Sequence, residues 1–182
     1  MCLEVNVEFL KIVAGCIVAA VVYGVVHDQI TARVYVEYFT VFHPPVFHTQ
    51  SPTLLAFGWG VIATWWMGAF LGVLLAIACR AGSLPKISLR NMLRPIAILL
   101  LVMGSCAFTF GLVGFFGARA PEGMAGLLSP SAERRFLADW WAHSASYASG
   151  LFGGIVLCFV SYRRRLRMRL ESAGCSTVIA GA

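Results

Sequence analysis

Histidine is the side chain best suited to proton or metal chemistry near neutral pH, and the chain holds four: His27, His43, His48 and His143. Acids lie close to them in sequence, at Asp28, Glu37, Glu133 and Asp139. Asp139 and His143 are four apart, so on a helix they share a face. An acid beside an imidazole can hold its tautomer, as the partners of metal-bound histidines do. One reading is therefore a copper, zinc or iron site made by His43, His48 and His143, with His27 as a fourth candidate and Glu37 and Asp139 in support. A proton-linked redox or enzyme site would use the same residues. His43 and His48 are split by Pro44 and Pro45, and that spacing is no metal signature. Folding would have to gather the set. The plainer reading, which the sequence favours, has the histidines hydrogen-bonding to loop backbone and lipid headgroups.

The elements that carry these residues are apolar. Of 182 residues 59% are hydrophobic and 12% charged, and mean hydropathy is +0.81. Soluble domains are about a quarter charged. Four continuous runs, 9–27, 53–79, 95–117 and 143–162, each suffice for a bilayer, which takes about 20 apolar residues. Lipid offers backbone groups no partners, so helix is the expected state. The predicted fold is all-α: one four-helix transmembrane bundle over 1–170, with a flexible cytoplasmic tail over 171–182. Outer loops cover 28–52 and 118–142.

Basic residues set the orientation. With both termini on one side, that side gathers Lys11, Arg80, Lys86, Arg90, Arg94 and the arginines of 163–169. The other side keeps Arg33, Arg119, Arg134 and Arg135. Both termini are thus expected in the cytoplasm. The net charge of +6 reflects this pattern and not nucleic-acid binding. The tail RRRLRMR reads as a stop-transfer anchor. Val13 to Cys16 resembles a lipoprotein cleavage box, but the preceding residues carry two glutamates and are too short for a signal. A retained helix is expected.

Within outer loop one, VYVEYFTVF (34–42) is ambiguous between helix and strand. Pro44 and Pro45 force extended geometry at His43. Ser51 with Pro52, and Ser129 with Pro130, are N-cap and first-turn pairs. A helix is expected from near Ser131 into the fourth span. Pro95 suits the first turn of the third. Trp140 and Trp141, and from loop one Tyr23, Tyr35, Tyr38, Phe39, Phe42 and Phe47, suit a headgroup-level belt.

The expected spans hold no Asp or Glu, which argues against an ion-coupled transporter. Thr64, Ser105, Thr109, Ser144, Ser146 and Ser149 can bond back along their own helices. Gly68 and Gly72, with Thr64 and Ala76, form a four-residue stripe; Ser146, Gly150 and Gly154 form another. Such faces let helices approach closely, within the bundle first, or else with another copy or a membrane partner. The six cysteines show no CxxC and no disulfide framework.

The segments HDQITARVYVEYFTVFHPP (27–45), SPTLLAFGWGVIATWW (51–66) and ADWWAHSASYASGLFGGIVLC (138–158) resemble a family of small bacterial inner-membrane proteins with four predicted transmembrane helices. The likeness covers about residues 20–165. It implies a four-helix protein of the inner membrane and carries no catalytic residue with it. The expected function is that of a scaffold, accessory or interaction protein in the lipid bilayer. A metal- or proton-linked site and a small channel or carrier are the alternatives. Reporter fusions after Leu84 and after Ala125 are expected to report opposite compartments; the same compartment from both would sink the four-span topology.

Overall fold

The computed structural model describes residues 2–119 and 128–180. The described residues form six helices: α1 (Cys2–Val34), α2 (Glu37–Thr40), α3 (Pro52–Ile62), α4 (Trp65–Arg80), α5 (Leu89–Gly117) and α6 (Pro130–Ala180). Among the described residues there is no strand. Val7–Val34, Pro52–Arg80, Leu89–Gly117 and Pro130–Ala173 are each long and apolar enough to cross a membrane. Their outer faces carry large apolar groups, such as Leu101, Phe108, Phe116 and Phe152. The flexible part expected at the start of loop two falls mainly on 120–127, outside the described residues.

Helix boundaries differ from the hydropathy reading in several places. α1 runs seven residues past 27 and takes Asp28 with it. α6 opens at Pro130, with Ser129 Oγ accepting from the Ala132 N–H at 3.4 Å. Asp139 therefore lies within the helix. Hydropathy marks the apolar stretch, whereas helices continue as long as backbone bonds close. α6 also stays helical to Ala180, through the tail expected to be flexible; no proline interrupts it. α5 starts at Leu89, so Pro95 lies inside the helix and not at its first turn. Its start is stabilised from elsewhere: Glu8 Oε2 accepts from the Leu89 N–H at 3.3 Å.

The second span is broken. Thr64 N donates to Val61 O at 3.3 Å, a tighter turn than α-helix. The Gly60 carbonyl takes the Thr64 hydroxyl instead, at 2.5 Å. A side chain thus replaces a backbone donor, and the helix is divided into α3 and α4. Ser51 caps α3 as expected, accepting from Leu54 N.

The helices pair as α1 with α3 and α4, and α5 with α6; α4 against α6 joins the two pairs. Glycine permits the closest approaches. A Cβ on Gly68 would lie 2.8 Å from the Cys16 carbonyl oxygen, and one on Gly60 2.6 Å from the Val25 backbone. Gly72 meets α1 in the same way, at Val13. On α6, Gly150 and Gly154 accommodate the Met103 and Leu71 side chains. Both small-residue stripes are thus used inside the bundle.

One arginine of the basic tail points inward. Arg165 is 1% exposed. Its guanidinium donates to the carbonyls of Pro85 (2.7 Å), Ala78 (2.6 Å), Ala81 (2.6 Å) and Leu84 (3.2 Å). These lie at the C-terminus of α4 and in the turn after it, where helix carbonyls lack partners. Arg164 and Arg167 are exposed. Truncating Arg165 would strand these carbonyls at a cost of about 3 kcal/mol. Arg165→Ala is expected to lower the midpoint of thermal unfolding by roughly 6–12 °C, while Arg164→Ala changes it little. Equal, small shifts for both would refute the clamp.

Candidate metal centre

His27 and Asp28 lie late in α1, Asp139 and His143 early in α6. The first pair is carried by the α1 contact with Gly60. The second is set by Gly114 of α5, where a Cβ would be 3.1 Å from the Ala138 Cα. The two tight helix interfaces thereby aim both pairs into the space between them.

The His143 ring is held at both nitrogens. Nδ1 lies 2.7 Å from the backbone carbonyl oxygen of Asp139. A carbonyl only accepts, so Nδ1 carries a proton and donates it. Nε2 lies 3.3 Å from Asp28 Oδ1. In a neutral imidazole of this tautomer Nε2 is a bare lone pair. An ionised Asp28 oxygen is also only an acceptor. Two acceptors at that distance need something positive between them, either a proton or a cation.

His27 adds a third donor atom. Its ring stands edge-on to His143 at 4.6 Å between centroids and stacks on Tyr23 at 5.8 Å. Its Nε2 is buried without a hydrogen-bond partner among the described residues. Ligand atoms of His27, Asp28 and His143 all lie within 4.8 Å of one another. Zinc bonds of about 2 Å place tetrahedral neighbours about 3.3 Å apart. The Asp28–His143 pair already has that separation, at 3.3 Å. The widest pair would close by at most about 1.5 Å to meet the same geometry.

The other residues singled out from sequence lie at different distances from this centre. His43 reaches its edge: Tyr38 stacks on His143 at 4.8 Å and meets His43 at 4.9 Å, and Phe39 touches both rings. The His43 Nδ1 donates to the Tyr38 carbonyl at 2.7 Å, and its ring packs on Trp59. His43 thus belongs to an aromatic cap and not to the ligand group. His48 is exposed beside Pro44, Pro45 and Thr49, outside the group. Glu37 is exposed at the start of α2 and also stands apart. Asp139 orients His143 through its carbonyl and not its carboxylate, whose Oδ2 is buried without a partner among the described residues. Tyr35 and Phe39, expected in a headgroup-level belt, are buried inside the protein.

Asp28 is the ligand candidate that hydropathy hides, because it lies just beyond the apolar run. Helical spacing reveals it: Ala20, Gly24, His27 or Asp28, and Thr31 fall on one face. On α6 the face runs Asp139, His143, Ser146, Gly150, Gly154. Ser146 does not bond back along its helix. Its hydroxyl lies 2.5 Å from the Tyr23 hydroxyl.

A cavity of about 160 Å³ extends from this centre between the helix pairs. His27, Asp28, His143, Tyr23 and Ser146 line one end, and Leu71, Leu75, Ile96, Leu100 and Leu157 the other. The break at Ala63 and Thr64 is on its wall. Comparison with protein-family models, with curated proteins and with solved structures gives no match.

The cap is pH-sensitive by construction. Burial pushes the His43 pKa below its usual 6.5; His143 adds to this, while the bond to Tyr38 and the charge of Asp28 oppose it. Burial, then Asp139, pushes the Tyr38 hydroxyl pKa up, so it stays protonated. An undocked His43 binds its proton near pH 6.5 and the docked one only at lower pH, so docking is favoured above about 6.5 and weakens as pH falls below it. Amide exchange across 38–50, corrected for intrinsic rates, is expected to speed up between about pH 7.5 and about pH 5. His43→Gln should flatten that change; the same pH response in wild type and variant would refute it.

Proposed function

We propose that the protein is a metal-binding protein of a bacterial inner membrane, with four spans, both termini cytoplasmic and one transition ion held by His27, Asp28 and His143. The observation that carries this is the gathering of His27, Asp28 and His143, with ligand atoms within 4.8 Å of one another, His143 Nε2 3.3 Å from Asp28 Oδ1 and the His27 Nε2 buried without a partner among the described residues. A scaffold needs no such arrangement, since buried polar groups without partners cost stability. An accessory subunit carrying a metal would be compatible with it. Two imidazoles and one carboxylate suit zinc or ferrous iron. Three protein ligands leave further coordination positions for a substrate or water, as catalytic sites do. The orientation is supported by the basic residues near the termini, and the bilayer by the apolar outer faces.

A shared proton between Asp28 and His143 satisfies the same pair without metal, and the test separates the two. Protein purified in lipid discs and supplied with zinc or iron(II) is expected to retain about one equivalent. His143→Ala and Asp28→Asn should abolish this retention, while His48→Ala keeps it. Bound metal at 100 times its dissociation constant stabilises by about 2.7 kcal/mol, which a chelator reverses. No stoichiometric metal in the loaded wild type, or equal loss in His48→Ala, overturns the metal reading. The proton alternative then predicts a hydrogen-bonded Asp28 carboxyl band in infrared difference spectra.

A further inference from the structure

The cavity beneath the His27–Asp28–His143 centre has a volume, a polar end and an apolar end, and together these specify a ligand class. Its volume of about 160 Å³ is close to that of an apolar protein cavity of about 150 Å³ that stays dry and binds benzene. One six-membered ring, or a chain of about six to eight carbons, fills such a space. The walls away from the histidines are aliphatic, with Met67 and Met103 among them. Methionine adapts to irregular shapes. The leucine, isoleucine and methionine side chains that make up most of this end offer water little to bond to, so an apolar occupant is favoured there.

The polar end selects the headgroup. His27 Nε2 is buried and unpaired. Asp28 is 5% exposed and bonded only to His143 among the described residues. The Tyr23 and Ser146 hydroxyls share one hydrogen bond, which leaves acceptor capacity on their oxygens. A hydroxyl both donates and accepts, so it suits His27 in either tautomer. A carboxylate would face Asp28, and an ammonium would sit in an aliphatic chamber with one counter-charge.

We infer that this cavity binds a small lipid-soluble alcohol or phenol, its hydroxyl at His27 and Asp28 and its ring or chain between Leu71, Ile96, Leu100 and Leu157. The inference goes beyond the metal reading and stands without it, since the side chains themselves supply the hydrogen bonds. Were an ion held by His27, Asp28 and His143, the same hydroxyl would be placed to take one of its open positions.

The probe is 4-fluorophenol, followed by fluorine NMR on the full chain in lipid discs, with and without zinc. Its comparator is 4-fluorotoluene, which has the ring but not the hydroxyl. Wild type is expected to bind the phenol at least about tenfold more tightly, the value of one buried hydrogen bond. Leu100→Phe and Met103→Phe fill the wall from different positions on α5, and each should weaken both probes by about tenfold or more. His27→Leu should weaken the phenol alone. Unfolding midpoints near that of the wild type identify which filled variant is folded. Unchanged binding in a folded filled variant means the probe sits in the bilayer and overturns the inference. Equal affinity for the two probes overturns the hydroxyl assignment. Phenol binding without any zinc retention sinks the metal reading and leaves this one standing.

Discussion

Close backbone contact between α1 and the second span is the constraint on which the other features rest. The four long helices are apolar enough to cross a membrane, and between helices of that kind in lipid, packing contacts and small residues replace the hydrophobic drive. Gly60, Gly68 and Gly72 bring that span onto the α1 backbone. This contact fixes the rotation of α1 about its axis, and the rotation decides which way His27 and Asp28 point. Gly114 does the same for the start of α6. Each helix pair is tight, and the space between the pairs is consequently the looser one. A cavity there follows from where the glycines are.

Polar groups are treated differently at the two ends of the bundle. At the end holding the basic residues, orphan backbone groups find side chains: Glu8 serves α5, and Arg165 serves α4. Lys86 donates to the Arg80 and Gly82 carbonyls there as well. Gly82, at φ +73°, makes the turn that exposes them. Arg80 Nε is nevertheless buried there without a partner among the described residues, and at the histidine end two more such atoms occur. His27 Nε2 and Asp139 Oδ2 are buried without partners among the described residues, and His143 faces an acceptor. Each buried polar group of that kind calls for a physical account, such as a catalytic role, an ordered water or a bound ion.

Much of the architecture was legible in the sequence. Length and apolarity set the four long apolar helices, and Ser51–Pro52 and Ser129–Pro130 marked helix starts from cap chemistry alone. The close-packing role of Gly68 and Gly72 could be read from spacing. Hydropathy stopped at the last apolar residue and so lost Asp28 to a loop, although the helix carries it inward. Arg165 was hidden among its neighbours, because burial of one arginine in five depends on which face meets α4. The His27–His143 meeting was open to reasoning only as a gathering of histidines on one side. Its members depended on rotations that glycine contacts set, and these are relations between distant segments. Pro44 and Pro45 announced a stiff connector, and the connector does turn sharply, with Val46 N bonding Pro44 O at 2.7 Å. What it delivers is His43 to the cap and His48 to the surface.

The uninterrupted run of α6 has a metrical consequence. His143 and Arg165 belong to one helix, about 33 Å apart at 1.5 Å per residue. That is close to the thickness of the hydrocarbon layer of a bilayer, about 30 Å. One rod of that length therefore carries the His143 imidazole towards one end and the Arg165 guanidinium towards the other. The anchor fixes the rod lengthwise against the turn between α4 and α5, so it also sets the depth at which His143 is presented. The position of the open polar set is gauged from the opposite face of the molecule.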